Sequence, residues 1–311
     1  VTLSRTSAAL EHLGTREQYA IPGAMEVTKR RVLPDGGLIE FESAPAGWLT
    51  KKGTPRLKDY RAYHYCSPGG KGVRLPSVST ILDSICPKPG LAYWSEARGI
   101  EGAVRAVRLG LIDPEDPASA ANAVAQVRAA RLGADRARDT AAERGLNVHA
   151  CLEHYMRTEE PPNPADHPAE YHGYLRAMTR WLLKTGIEPE AVEELVAHPE
   201  DGYAGRMDLR GRIDGVLTAV DAKTQERAGI YGSAHAQLSL YERAAVECGD
   251  DPADRLVVVV FAANGEFREM PADHPSSFAD AALAWCRAIR PVDAMCEAQN
   301  RVEREARKVA A

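Results

Sequence analysis

Asp208, Asp221 and Lys223 are the side chains best placed by type and spacing to do chemistry, and all lie in one stretch, Tyr203 to Thr224, reading YAGRMDLRGRIDGVLTAVDAKT. Asp214-Gly215 stands in its middle between β-prone runs. An Asp-Gly pair there predicts a type I′ hairpin, whose two central residues both take positive φ. If Ile213 faces Val216, counting back along both strands sets Asp208 directly opposite Asp221. Opposed residues have Cβ atoms roughly 5 Å apart, so two carboxylates there repel unless something positive lies between them. Alternation of side chains puts Lys223 on the face of Asp221, roughly 7 Å along the strand. Two acids and an amine on one patch suit Mg²⁺ or Mn²⁺, with the lysine holding or helping to deprotonate a water for phosphodiester hydrolysis. The plain alternative is a solvated hairpin face that carries an Asp pair by accident. Asp214 itself lies roughly 20 Å from Asp208 along an extended strand and serves the turn.

Gly205-Arg206-Met207-Asp208, the Asp-Gly turn and Val220-Asp221-Ala222-Lys223-Thr224 together resemble the GxxD, turn, hydrophobic-DxKT core of the PD-(D/E)XK nucleases, in particular the RecB-type exonuclease branch. Three further stretches match that branch. Arg144-Gly145-Leu146-Asn147-Val148-His149, in a helical run, resembles its RG-x-x-x-H motif, whose histidine binds metal in relatives. Gln237 and Tyr241, four apart on one helix face, match its QxxxY motif and so imply roles in aligning the site or the scissile strand. Relatives also carry an acid on the strand before the hairpin, where Glu193 and Glu194 are adjacent. Their side chains point to opposite faces, so at most one reaches the site, and Glu193 is favoured. Without the resemblance, His149, Gln237 and Tyr241 would read as structural residues.

The resemblance implies an α+β fold with a mixed central sheet flanked by helices, and a metal-dependent DNA exonuclease using one or two Mg²⁺ or Mn²⁺ ions. Asp208, Asp221, the Ala222 carbonyl and His149 would hold metal, Lys223 would orient and activate water, and Glu193, Gln237 and Tyr241 would support the site. Products would carry 5′-phosphates. The PSVSTIL stretch, Pro76 to Leu82, followed by Trp94, resembles phage-encoded members. It suggests a viral recombination, repair or end-processing setting, with DNA and a single-strand annealing or single-strand binding protein as partners. A structure-specific endonuclease or an RNA-acting hydrolase on the same site, and a non-cleaving nucleic-acid-binding protein on the same scaffold, remain as alternatives. Some relatives close an iron-sulfur cluster; Cys66, Cys86, Cys151, Cys248, Cys286 and Cys296 lack the spacing, and no cluster is expected.

The elements that must position these residues can be read around them. The chain has 311 residues, 44% of them hydrophobic, enough for one large core or two modest ones. A net charge of −5 excludes a broadly basic nucleic-acid surface, so any contact with DNA must be local. No apolar run approaches a membrane span and the start lacks a signal-peptide pattern, which predicts a soluble, cytoplasmic protein.

Residues 1–75 read as a β-rich elaboration: a helix-like run from Thr6 to Tyr19, then β-like LIEFES and YRAYHY. Lys51, Lys52, Arg56, Lys58 and Arg61 interleave with Trp48, Tyr60, Tyr63 and Tyr65, a mixture that either tracks phosphates and stacks on unpaired bases or forms a solvated loop beside an aromatic core. Residues 76–311 read as the nuclease domain, with a helical tract over 91–185, a core over 186–270 and C-terminal helices over 274–311. Ser77 or Ser79 caps the first helix. A long helical run from Ala118 to Arg157 is expected to break near Gly133 and Gly145. Arg128, Arg131, Arg138 and Arg144 recur along it at spacings compatible with one broad face, which either guides a strand toward the metal or is an ordinary solvated face. Tyr171, Leu175, Met178, Trp181 and Leu182 form a core stripe, and RLVVVVFAA, Arg255 to Ala263, reads as a strand covered on both faces.

Overall fold

The computed structural model describes residues 26–44, 60–85, 89–227, 229, 232–272, 277, 279–284 and 287–288. The expectations for Thr6–Tyr19, for Lys51 and Lys52, and for Cys86, Cys286 and Cys296 lie outside the described residues. Two sheets and their helices make an α+β fold. In the first sheet, β1 (Glu26–Val32), β2 (Leu38–Ala44), β3 (Tyr60–Cys66) and β4 (Val73–Leu75) run antiparallel in sequence order. In the second, β5 (Glu188–His198), β6 (Tyr203–Ile213), β7 (Val216–Gln225), β8 (Arg255–Ala262) and β9 (Phe267–Pro271) also lie in sequence order, antiparallel except that β7 and β8 are parallel.

The helices are α1 (Val78–Ile85), α2 (Pro89–Arg108), α3 (Pro117–Ala121), α4 (Ala123–Ala129), α5 (Ala134–Thr158), α6 (His172–Thr185) and α7 (Gly232–Glu247). α7 is the crossover that a parallel β7–β8 pair requires, because parallel neighbours cannot be joined by a tight turn. β8 reads as a continuous apolar run because it is covered on both faces: Val257 through Ala262 are all buried.

Helices pack on both sides of the second sheet and divide its core in two. On one side Leu195, Tyr203, Ala204 and Met207 meet α1 and α7, with Ile39, Phe41 and Leu75 of the first sheet in the same cluster. On the other, Leu209, Val220 and Phe261 meet Leu152 of α5 and Leu175, Met178 and Trp181 of α6. The α6 stripe is therefore core, with Trp181 Nε1 donating to Glu269 Oε1 at 2.7 Å. Ser77 caps α1, its Oγ accepting from Thr80 N–H at 3.1 Å, and the Pro76 carbonyl accepts from Ala204 N–H at 3.0 Å. That last bond ties the start of α1 to β6.

The expected break at Gly145 does not occur: α5 begins after Gly133 and runs unbroken from Ala134 to Thr158. A glycine inside a helix costs about 1 kcal/mol relative to alanine. Burial of Val148, Cys151, Leu152 and Met156 along the same helix outweighs that cost. The consequence is that His149 is held by a continuous rod.

Candidate metal centre

Asp214 and Gly215 have φ of 53° and 77°, as a type I′ turn requires, and Ile213 faces Val216. The expected register holds up to Leu209 opposite Val220, one step short of the two aspartates. Beyond that point a side chain takes over: Asp208 Oδ2 accepts a hydrogen bond from the Ala222 N–H at 2.8 Å. Asp208 and Asp221 are thus neighbours through a side chain and the adjoining backbone rather than as a continued ladder pair.

On β5, Val192 lies across from Leu209 and Glu194 from Met207, which brackets Glu193 opposite Asp208. Glu193 has φ of 51°, left-handed backbone that costs a non-glycine residue about 1–2 kcal/mol. Its surroundings hold it there. Lys29 Nζ, from β1, donates to the Glu193 carbonyl at 2.9 Å and pairs with Glu153 Oε1 at 3.4 Å. Arg206 Nε lies 2.5 Å from Glu193 Oε2. Glu194 points elsewhere, to Arg31 at 3.4 Å, so of the two adjacent acids it is Glu193 that reaches the site.

His149 enters from α5 between these groups. Its Nδ1 is 3.1 Å from Glu193 Oε1 and 3.5 Å from Asp208 Oδ1, and its Nε2 is 3.1 Å from the Ala222 carbonyl oxygen. Ligating atoms of His149, Glu193 and Asp208 all lie within 4.8 Å of one another, a grouping that could hold a metal ion. Both ring nitrogens face oxygens, and an imidazole can satisfy both only as the cation. Burial opposes that charge, but the Asp208 and Glu193 carboxylates outweigh it and push the His149 pKa up to about 9.

The donor set fits a hard divalent cation. Neighbouring ligands around an octahedral ion with bonds of about 2.1 Å lie ~3 Å apart, close to the spacing seen here. The oxygens of Asp208 and Glu193 suit Mg²⁺ or Mn²⁺ and the Nδ1 that they face suits Mn²⁺ better than Mg²⁺, whereas the Ala222 carbonyl, expected as a ligand of the same ion, faces the opposite ring nitrogen. The same spacing can therefore hold a proton on His149 or a cation in its place.

Asp221 stands beside this group and is fully buried. Lys223 Nζ donates to its Oδ1 at 2.6 Å, while its Oδ2 has no hydrogen-bond partner. Burial pushes the Asp221 pKa up to about 6 against the opposing effect of Lys223. Burial would lower Lys223, but Asp221 and Asp208 outweigh it and raise the ammonium above its ordinary range. Lys223 is thus a charged donor at neutral pH.

On α7, Gln237 Nε2 donates to Tyr241 Oη at 2.9 Å. The Tyr241 ring lies so close over β6 that a Cβ on Gly205 would come within 2.2 Å of it. Gly205 therefore leaves room for the Tyr241 ring against β6, and burial raises the Tyr241 hydroxyl well above its usual value.

The arginines expected on one helical face do not share one. Arg128 ends α4, Arg131 has φ of 51° in the turn before α5 and pairs with Asp139 at 2.5 Å, and Arg144 stacks on the Tyr174 ring at 4.6 Å. The turn that separates α4 from α5 breaks the periodicity on which the expected face depended. Lys29 and Arg206 are the contributors missed by the sequence reading. Lys29 belongs to a strand that carries no clear β signature, whereas Arg206 was visible inside the Gly205–Asp208 motif. Three buried acids need three positive partners, a charge count that would have pointed to Arg206.

Among the described residues, no helix is long and apolar enough to cross a membrane. Comparison with known proteins finds no family model that matches the chain and no curated protein with significant similarity.

Proposed function

We propose that the chain is a Mg²⁺- or Mn²⁺-dependent DNA nuclease, most simply an exonuclease, built on a PD-(D/E)XK-type core. The observation that carries this reading is the convergence of His149, Glu193, Asp208 and the Ala222 carbonyl from four separate elements, with the Asp221–Lys223 pair alongside. His149 through Nδ1, Glu193 and Asp208 would hold the cation, with the Ala222 carbonyl keeping the proton on Nε2 and Asp221 adjoining. When bound, the cation would polarise the scissile phosphate and offset charge on the leaving oxygen.

The remaining work falls to the chain itself. Lys223, kept protonated by Asp221 and Asp208, donates to the attacking water or to a phosphate oxygen and so orients in-line attack. Arg206 and Lys29 fix the two ends of Glu193, one through its carboxylate and one through its carbonyl. Tyr241, steadied by Gln237, walls the site on the α7 side and limits water around the carboxylates. Water oxygen bonds to phosphorus as the P–O3′ bond breaks, and one water proton ends on the departing 3′ oxygen.

The test uses a linear duplex labelled separately at its 5′ and 3′ ends, a closed circle and a matched RNA, each with Mg²⁺, Mn²⁺ or EDTA. Mn²⁺-dependent shortening of the linear DNA with the circle intact is expected, and its loss in Lys223→Ala. Intact linear DNA at every metal concentration, with DNA binding retained, would instead favour a binding protein on this scaffold.

A further inference from the structure

A cavity of about 560 Å³ opens between the first sheet and β6, and its chemistry differs from that of the metal group. Three arginines line it: Arg61 on β3, Arg74 on β4 and Arg206 on β6. Phe41 and Tyr63 form an aromatic wall with ring centroids 4.9 Å apart, and the hydroxyl-bearing first turn of α1 closes the far side. Among the described residues that line it there is no carboxylate. The lining presents guanidinium and hydroxyl groups to an anion, with Arg206 shared between the cavity and Glu193.

Arg206 joins this cavity to the metal group. Its guanidinium lies 5.7 Å from the Phe41 ring centroid, while its Nε lies 2.5 Å from Glu193 Oε2. An anion seated among the three arginines is consequently one arginine side chain away from Glu193. Guanidinium groups match phosphate oxygens in geometry as well as charge. An aromatic wall beside them suits the flat face of a base, and only an unpaired base can turn out of its stack to meet it. The volume lies within the range of about 300–1,000 Å³ in which small-molecule ligands are held.

We propose that this cavity is a nucleotide subsite for single-stranded nucleic acid. It seats one backbone phosphate among Arg61, Arg74 and Arg206 and the base against Tyr63 and Phe41. This deepens the nuclease reading and rests on it for the claim that the same strand continues to the metal group. Binding at the cavity can be measured without that claim.

The experiment measures fluorescence anisotropy of labelled oligo(dT), oligo(rU) and a blunt duplex with the full chain in EDTA, where no cleavage interferes. Unlabelled dTMP, thymidine and inorganic phosphate serve as competitors. Variants are Arg61→Glu, Arg61→Gln, Tyr63→Leu and, away from the cavity, Arg138→Glu, each with a thermal melt to establish folding. Arg61→Glu is expected to weaken oligo(dT) binding at least tenfold and Arg61→Gln several-fold, with a salt dependence about one charge shallower. Tyr63→Leu should weaken oligo(dT) and dTMP but leave phosphate competition unchanged. Arg138→Glu should have little effect.

Folded Arg61 variants that bind oligo(dT) as the parent does, or no more weakly than Arg138→Glu, would overturn the subsite. So would duplex binding as tight as oligo(dT) and equally dependent on Arg61, since a paired base cannot reach Tyr63. The two readings fail separately. A parent protein that binds oligo(dT) through Arg61 yet cleaves nothing with Mn²⁺ loses the nuclease and keeps the cavity. One that cleaves, with binding and cleavage indifferent to Arg61, loses the cavity and keeps the nuclease. Comparing oligo(dT) with oligo(rU) identifies which sugar the strand carries, and dTMP bound as tightly as oligo(dT) would assign the pocket to a free nucleotide and overturn the strand.

Discussion

Asp208 and Arg210 stand two residues apart on β6, and both are buried. Among the described residues Arg210 has one hydrogen-bonding partner: its Nη1 lies 3.4 and 3.3 Å from the two Glu242 oxygens, and Glu242 Oε1 also accepts from Ala253 N–H at 2.6 Å. One positive charge faces one negative charge. Burial still raises the Glu242 pKa against the pull of Ala253 N–H and Arg210. Asp208 belongs instead to a crowd. Glu193, Asp208 and Asp221 face Arg206, Lys223 and an imidazole, and the group reaches neutrality only while His149 keeps its second proton. The closed pair has no exchangeable member. The crowded group has one, and a proton that can leave marks the place where a metal cation can enter.

The largest expected effect separates these two regions by function. Asp208→Asn should cut metal-dependent hydrolysis by roughly a thousandfold, on the order of 4 kcal/mol of barrier, while the protein still folds. Circular dichroism beside the end-labelled assay would check it; an active Asn variant would remove Asp208 from the cation's ligands. Arg210→Met should do the reverse. It strands the Glu242 carboxylate in the core and should cost about 3–5 kcal/mol of stability, with the surviving folded fraction still active per molecule. Adding Glu242→Leu should recover most of that loss in denaturant titrations, because an apolar pair fills the same space.

A pH series sharpens the contrast. The folded pKa of His149, about 9, lies above its unfolded value near 6.5, so its contribution is whole below about pH 6.5 and is lost as pH rises through 9. Metal-free protein should therefore melt at progressively lower temperature between those values, and His149→Gln should flatten that decline. Mn²⁺ must displace the proton, so its stabilising effect should be larger at pH 8.5 than at pH 6.5. Equal shifts at both would show that the imidazole is not where the cation binds. The smallest effect belongs to Lys29→Met, which removes the donor on the Glu193 carbonyl. A several-fold fall in kcat with KM nearly unchanged is expected, and Lys29→Arg should restore part of it.

Much of the site was legible because it is local. The Asp-Gly turn sets the β6–β7 register as far as Leu209 opposite Val220, since both residues adopt positive φ at little cost, and Lys223 meets Asp221 two residues away, whereas Asp208 reaches Ala222 through its side chain. The α6 stripe and the apolar β8 were readable for the same reason: period and burial are written in neighbouring residues. Gly145 misled because its helix penalty is local whereas the packing that outweighs it is not. The arginine face needed continuity across residues 130–133, and the break expected near Gly133, with Arg131 at φ of 51°, is what divides it.

What the sequence determined by itself was the hairpin, its turn and the chemical character of the acids and lysine it carries, all consequences of short-range backbone geometry. The tertiary structure alone decided that Glu193, not Glu194, would turn inward, that Lys29 would come from another sheet to hold it, and that Arg206 would be shared between the metal group and the cavity beside Phe41. Those outcomes depend on contacts between residues more than a hundred positions apart, such as Lys29 with Glu193, and no local preference encodes a distance of that kind.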